Sequence, residues 1–74
     1  MNYKYSKAIG KNIGAIRQAK GLTQEQLSAK LQVIGCDITR SALAKIEVGQ
    51  RHLYPDELKA LKIVLEIHYE DLFV

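Results

Sequence analysis

Four residues within one short stretch carry side chains suited to reading another molecule. Arg40, Ser41, Ala44 and Lys45 lie at spacing i, i+1, i+4 and i+5 within RSALAKIE. On a helix they take the faces left free by an apolar stripe of Leu43 and Ile46. Arginine is a planar fork that can donate two bonds to O6 and N7 of guanine, worth about 1–3 kcal/mol of discrimination. Lys45 adds a long donor that reaches base or phosphate, and Ser41 a short hydroxyl that reads weakly. A short helix held by its back, with such side chains at its front end, suits a DNA major groove.

The elements around that helix must hold it. The stretch Gly21 to Glu47 reads as two helices about a turn. Thr23 stands before the first, and Gln26 sits three residues later, the spacing of a reciprocal capping box. Leu22 precedes the cap as a hydrophobic staple, and Leu27 and Leu31 recur at i and i+4. This helix is expected from Gln24 to Gln32 or Val33. Its first-turn amides, with Gln24 in front, can receive a phosphate; Gln24 also fits a plain solvated position. Gly35 offers a left-handed stop, and Asp37 or Thr39 can cap the next helix. That helix runs from Thr39 or Arg40 to Val48 and ends at Gly49. Gln50, Arg51 and His52 follow as a polar, basic loop.

The flanks complete an all-α reading. Residues 1–5 lack periodicity and are expected to fray. Ser6 caps a helix to Lys20 whose core face is Ile9, Ile13 and Ile16. Gly10 and Gly14 inside it each cost about 1 kcal/mol against alanine. They point to close approach of another helix or, alternatively, of a phosphate to the backbone. Pro55 sits at N1 of a further helix, with Asp56 and Glu57 in the first turn where the helix dipole favours acids. Leu58, Leu61, Ile63 or Val64, and Leu65 make its stripe. Ile67 packs inward, His68 caps, and Tyr69 to Phe73 form a last helical turn. Nothing reads firmly as a strand, although VIG and KIVLEI are short β-branched runs. The expectation is a compact five-helix bundle, one domain over residues 1–74.

Composition excludes several classes. The single Cys36 permits no internal disulfide and has no ligand partners for zinc. It reads as a small buried hydrophobe, with redox sensing as the alternative. An unpaired thiol fits a reducing cytoplasm. No apolar run reaches the 18 residues of a membrane span, and the N-terminus lacks a signal-peptide core. His52 and His68 have no cysteine or carboxylate at metal spacing, and no Ser-His-Asp set is evident. No enzyme, metal or cofactor is therefore expected. Net charge is +3, unevenly spread. Residues 1–54 hold nine Lys/Arg against three Asp/Glu, and residues 55–74 two against five. The basic part contains the two-helix unit, as a polyanionic partner would require, though small domains often carry uneven charge.

With these residues laid out, the chain resembles the phage repressor/Cro helix-turn-helix family, also called XRE-type regulators, with a lambda repressor-like DNA-binding domain. The matching pieces are residues 13–17 (IGAIR), 21–27 (GLTQEQL), 41–49 (SALAKIEVG) and the tail from Pro55 to Phe73. The combination of GLTQ-x-x-L with IE-x-G is more specific than either alone.

The resemblance implies roles position by position. Gln24 is similar to the glutamine that contacts a phosphate at the start of helix two. Thr39 resembles the cap of the recognition helix. Arg40, Ser41 and Lys45 take the base-reading positions, and Ala44 lies where it can touch a thymine methyl. Gln50 and Arg51 resemble the phosphate-gripping loop. Arg17 and Glu47 resemble an Arg–Glu pair that ties helix one to the recognition helix. The chain departs from the family's tight Gly-Val-Ser type turn: the path from Leu31 to Thr39, through QVIGCDI, is longer, with Ile38 in place of the usual buried valine.

The implied function is a sequence-specific double-stranded DNA-binding transcriptional regulator, a repressor acting by operator occupancy. A homodimer on a palindrome is expected, with half-sites about 34 Å apart. Its contact surface is expected near Leu53, Tyr54, Tyr69, Phe73 and Val74, residues that equally serve to close the core. With no sensor domain in view, control falls to concentration, a partner or Cys36. The competing class is an antitoxin or anti-repressor module that binds another protein on the same fold.

Overall fold

The computed structural model describes residues 3–73, with side chains from Lys7 onward. Its elements are α1 (Tyr3–Ala19), α2 (Gln24–Val33), α3 (Arg40–Glu47) and α4 (Pro55–Leu65), followed by a 3-10 turn, Tyr69–Leu72. No strand occurs among the described residues. The β-branched VIG run closes α2, and KIVLEI lies largely in α4.

The expected five-helix bundle is corrected to four α-helices. The fifth segment is only a 3-10 turn, closed by an i to i+3 bond from Asp71 N to the His68 carbonyl at 3.0 Å. Four residues give too little chain for an α-helix of their own. His68 takes the cap position without a side-chain bond; its amide donates to Asp71 Oδ2 at 2.9 Å. The start of α1 is a second correction. The helix begins at Tyr3, upstream of the expected Ser6 cap, because no proline or glycine there interrupts it. Of the fraying expected at residues 1–5, residues 3–5 are corrected to helix, and residues 1 and 2 lie outside the described residues.

The capping box forms as its spacing requires. Gln26 N donates to Thr23 Oγ1 at 3.0 Å, and Thr23 N donates to Gln26 Oε1 at 2.9 Å. Two of the orphan amides of α2 are thereby satisfied. Thr39, rather than Asp37, caps α3, its hydroxyl accepting from Ala42 N at 3.1 Å. The α2–α3 connection resolves into a Schellman stop. Gly35, with φ 85°, is the left-handed residue. Gly35 N donates to Gln32 O and Cys36 N to Leu31 O, at 3.0 and 2.9 Å. Cys36 therefore occupies the position after the glycine, where an apolar side chain folds back on the core. It is partly rather than fully buried. Glu66 ends α4 with φ 56°, a left-handed conformation that usually falls to glycine.

The core is Ile13 from α1, Leu27 and Leu31 from α2, Ile38 from the connection, Leu43 and Ile46 from α3, Ala60, Leu61 and Leu65 from α4, and Leu72. Between Ile63 and Val64, α4 turns Val64 toward the core and leaves Ile63 exposed. Leu72 was not expected inside; Asn12 Nδ2 anchors its carbonyl at 2.8 Å. Helix α3 packs against α1 on one side and α2 on the other, while α2 also packs on α4.

Two devices fix α3. The buried Ser28 donates its hydroxyl to the Ile38 carbonyl at 2.7 Å, pinning the connection that feeds α3. On the other side, Gly10 meets the end of α3 directly. A Cβ at Gly10 would overlap the Ile46 carbonyl oxygen. Close helix approach, not phosphate approach, is what this glycine serves.

Candidate nucleic-acid interface

Arg17 is the central brace. It is buried on α1, one helical stripe along from Gly10 and Gly14. Its Nε donates to Glu47 Oε2 at 2.8 Å and its Nη2 to Glu47 Oε1 at 3.0 Å. Its Nη1 donates to the Leu22 carbonyl at 2.7 Å. One side chain thus holds the last residue of α3 and the turn that opens α2. The bond to Glu47 raises the Arg17 pKa against the opposing effect of burial.

Gln24 joins the same carboxylate. Its Nε2 donates to Glu47 Oε1 at 3.1 Å. Sequence spacing gave no sign of this bond, because the two residues are brought together only by the packing of α2 on α3. Arg17, Thr23, Gln24, Glu25 and Arg40 line an open cleft of about 410 Å³ where the starts of α2 and α3 meet. The amino ends of both helices, two arginines and an amide side chain border it, alongside one acid, Glu25. Helix amino ends and guanidinium groups both favour an anion such as a phosphate.

Along α3, Arg40, Ser41 and Lys45 are exposed and Ala44 is half-buried. Leu43 and Ile46 on the opposite side are buried. The structure therefore gathers Gln24, Arg40, Ser41, Ala44 and Lys45 around the outer side of the two-helix unit, with Thr39 at its cap. Gln50 is exposed beyond the end of α3.

Arg51 has an engagement that the sequence did not announce. Its Nη1 and Nη2 donate to Glu57 Oε1 and Oε2, both at 2.9 Å, and Nη1 also donates to the His52 carbonyl. Glu57 Oε1 accepts from Tyr54 N as well, at 3.1 Å. This bidentate pair clamps the loop after α3 to the first turn of α4. The Arg51 bond, assisted by the Tyr54 amide, holds the Glu57 carboxyl below its ordinary pKa despite burial. A depressed pKa stabilises the fold above the unfolded carboxylate value and is lost as pH falls through the folded one. Stability should therefore decline on acidification below about pH 4.5, the ordinary value for this group. Glu57→Gln should lower stability at neutral pH and flatten that decline, read from urea midpoints between pH 3 and 7. An unchanged acid slope would remove Glu57 from the titrating set.

Cys36 has its thiol pKa pushed up, by burial first and then by Glu57 and Asp56. Such a thiol stays protonated at neutral pH, which does not favour the redox-sensing alternative. No group of three or more metal-ligating side chains occurs among the described residues. No described helix is long and apolar enough to cross a membrane.

Comparison with known proteins agrees with this geometry. Residues 13–72 match the helix-turn-helix family model HTH_3, and the chain belongs to that XRE-type helix-turn-helix family. The chain is also similar to the solved structure of the restriction-modification controller protein C.AhdI from Aeromonas hydrophila. The two share 30% identity over 96% of each chain, with a TM-score of 0.84. No curated protein matches the sequence. The protein is a DNA-binding regulator of transcription of the helix-turn-helix type.

Proposed function

We propose that the chain binds a specific operator by inserting α3 into the major groove, and that it represses by occupying that site. The supporting observation is the two-sided character of α3, with its apolar side locked to α1 and α2 and Arg40, Ser41 and Lys45 turned out. In this reading Arg40, Ser41 and Lys45 meet base edges and Ala44 meets a thymine methyl. Gln24, Thr39 and Gln50 lie along phosphates, and Arg51 serves the same loop chiefly by bracing it. Two copies on a palindrome supply the contacts that one module lacks. The exposed Tyr54, Tyr69 and Phe73 and the half-buried Leu53 contribute to the joining surface; Val74, expected there too, lies outside the described residues. By likeness to the solved controller protein, the regulated genes are those of a restriction-modification system.

Selection from a random duplex library at two salt concentrations tests this reading. A palindromic motif with half-sites one helical turn apart is expected. Binding without sequence preference would favour the protein-interaction module, the antitoxin or anti-repressor reading. Arg40→Ala should weaken specific binding by about 1–3 kcal/mol and relax one base position. Equal losses on operator and random DNA would remove Arg40 from base reading.

A further inference from the structure

The longer α2–α3 connection exposes apolar side chains on a face that DNA reading does not use. Val33 is 86% exposed, Ile34 47% and Ile63 53%. With Lys30 and Val64 they line an open hollow of about 380 Å³ between the end of α2 and the second half of α4. Toward the start of α4, Ile34 also borders a neighbouring hollow lined by Asp37, Asp56 and Glu57. An apolar ridge therefore separates a basic end from an acidic end. Position 56 precedes position 63 by about 10 Å along α4, at 1.5 Å per residue. Glu57 is already committed to Arg51, leaving Asp37 and Asp56 as the acids that face outward. Lys59 is exposed on α4 but lines neither hollow.

A surface with opposite charges at its two ends complements itself under a two-fold rotation, because each end meets its opposite. We propose that this α2–α4 face docks a second copy of the chain. Val33, Ile34 and Ile63 pack on the same residues of the other copy, and Lys30 of each faces the Asp37 and Asp56 end of the other. A uniformly acidic peptide or an anionic membrane would meet repulsion at the acidic end. The face lies about 15 Å from Gln24, one length of α2, so docking leaves the α2–α3 cleft open. It shares no residue with the Tyr54, Tyr69 and Phe73 surface. Stable interfaces bury about 800 Å² per partner. Three aliphatics and a charged rim offer less, so the association is weak and appears at high concentration.

Sedimentation equilibrium of the full chain over a wide concentration range tests the proposal. Val33→Asp and Lys30→Asp should each weaken one concentration-dependent step about tenfold, the equivalent of 1.4 kcal/mol. Lys30→Asp combined with Asp37→Lys should restore it, because the ion pair re-forms with its signs exchanged. Val33, Lys30 and Asp37 are exposed, so melting temperatures should stay near that of the parent. Chemical shifts followed on dilution should move at residues 30–37 and 60–64. A mass curve unchanged by Val33→Asp, a double variant no better than Lys30→Asp, or shifts confined to Tyr54, Tyr69 and Phe73 would each overturn the assignment.

Discussion

Alanine at position 17 is expected to remove about 3–5 kcal/mol of folding stability, the usual cost of taking one member from a buried ion pair. Arg17 and Glu47 keep side-chain exposures of only 10% and 8%. Without the guanidinium, the Glu47 carboxylate retains the Gln24 amide as its partner, and the Leu22 carbonyl loses its donor from Arg17. For a small domain of marginal stability, that loss leaves little folded protein at 37 °C. Urea denaturation measures it. Arg17→Lys should recover only part, because an ammonium cannot bond two carboxylate oxygens and a carbonyl in one fixed fork. A midpoint for Arg17→Ala equal to the parent's would show that the pair contributes nothing net.

Gly10→Ala should also destabilise the fold, although alanine is the better helix former by about 1 kcal/mol. The added methyl would overlap the Ile46 carbonyl oxygen, with the Ile46 carbonyl carbon at 3.0 Å and Glu47 Cα at 3.3 Å. All three are backbone atoms and cannot rotate away. Helix α1 must lift off α3, and overpacking of this kind costs about 1–3 kcal/mol. The same shift misplaces the outward side chains, so specific DNA affinity should fall more than non-specific affinity. Gly14→Ala is the milder comparison: its methyl would stand 3.1 Å from Glu47 Oε1, so the carboxylate must give by a few tenths of an ångström against its bonds to Arg17 and Gln24, whereas no backbone atom is overlapped. If Gly10→Ala melts with the parent and binds its operator equally, the close crossing of α1 and α3 is not what sets the recognition geometry.

These two residues show how far the sequence could be read. The glycines in α1 signalled a close neighbour because glycine is costly in a helix, and periodicity alone placed Ile13, Leu27, Leu31, Leu43 and Ile46 inside. The capping box was legible because its two bonds span only three residues. The Arg17–Glu47 pair came from family likeness, since its partners lie 30 residues apart. Bonds made by tertiary packing stayed hidden for the same reason: Gln24 to Glu47, Ser28 to Ile38 and Asn12 to Leu72. The Arg51–Glu57 pair spans only six residues, but a basic loop and an acidic first turn each have a sufficient local explanation. The last segment looked helical because its composition permits a helix, while its length allowed only a 3-10 turn.

The division of α3 into a locked side and an outward side has an evolutionary consequence. Arg40, Ser41 and Lys45 contribute no buried side chain to the core, and Ala44 only part of one. Substitutions there should be close to neutral for folding, whereas Leu43, Ile46 and Glu47 tolerate little. A lineage can therefore exchange its target sequence by drifting through these outward positions while its melting temperature stays nearly constant. Heritable change of address is thereby uncoupled from the risk of misfolding.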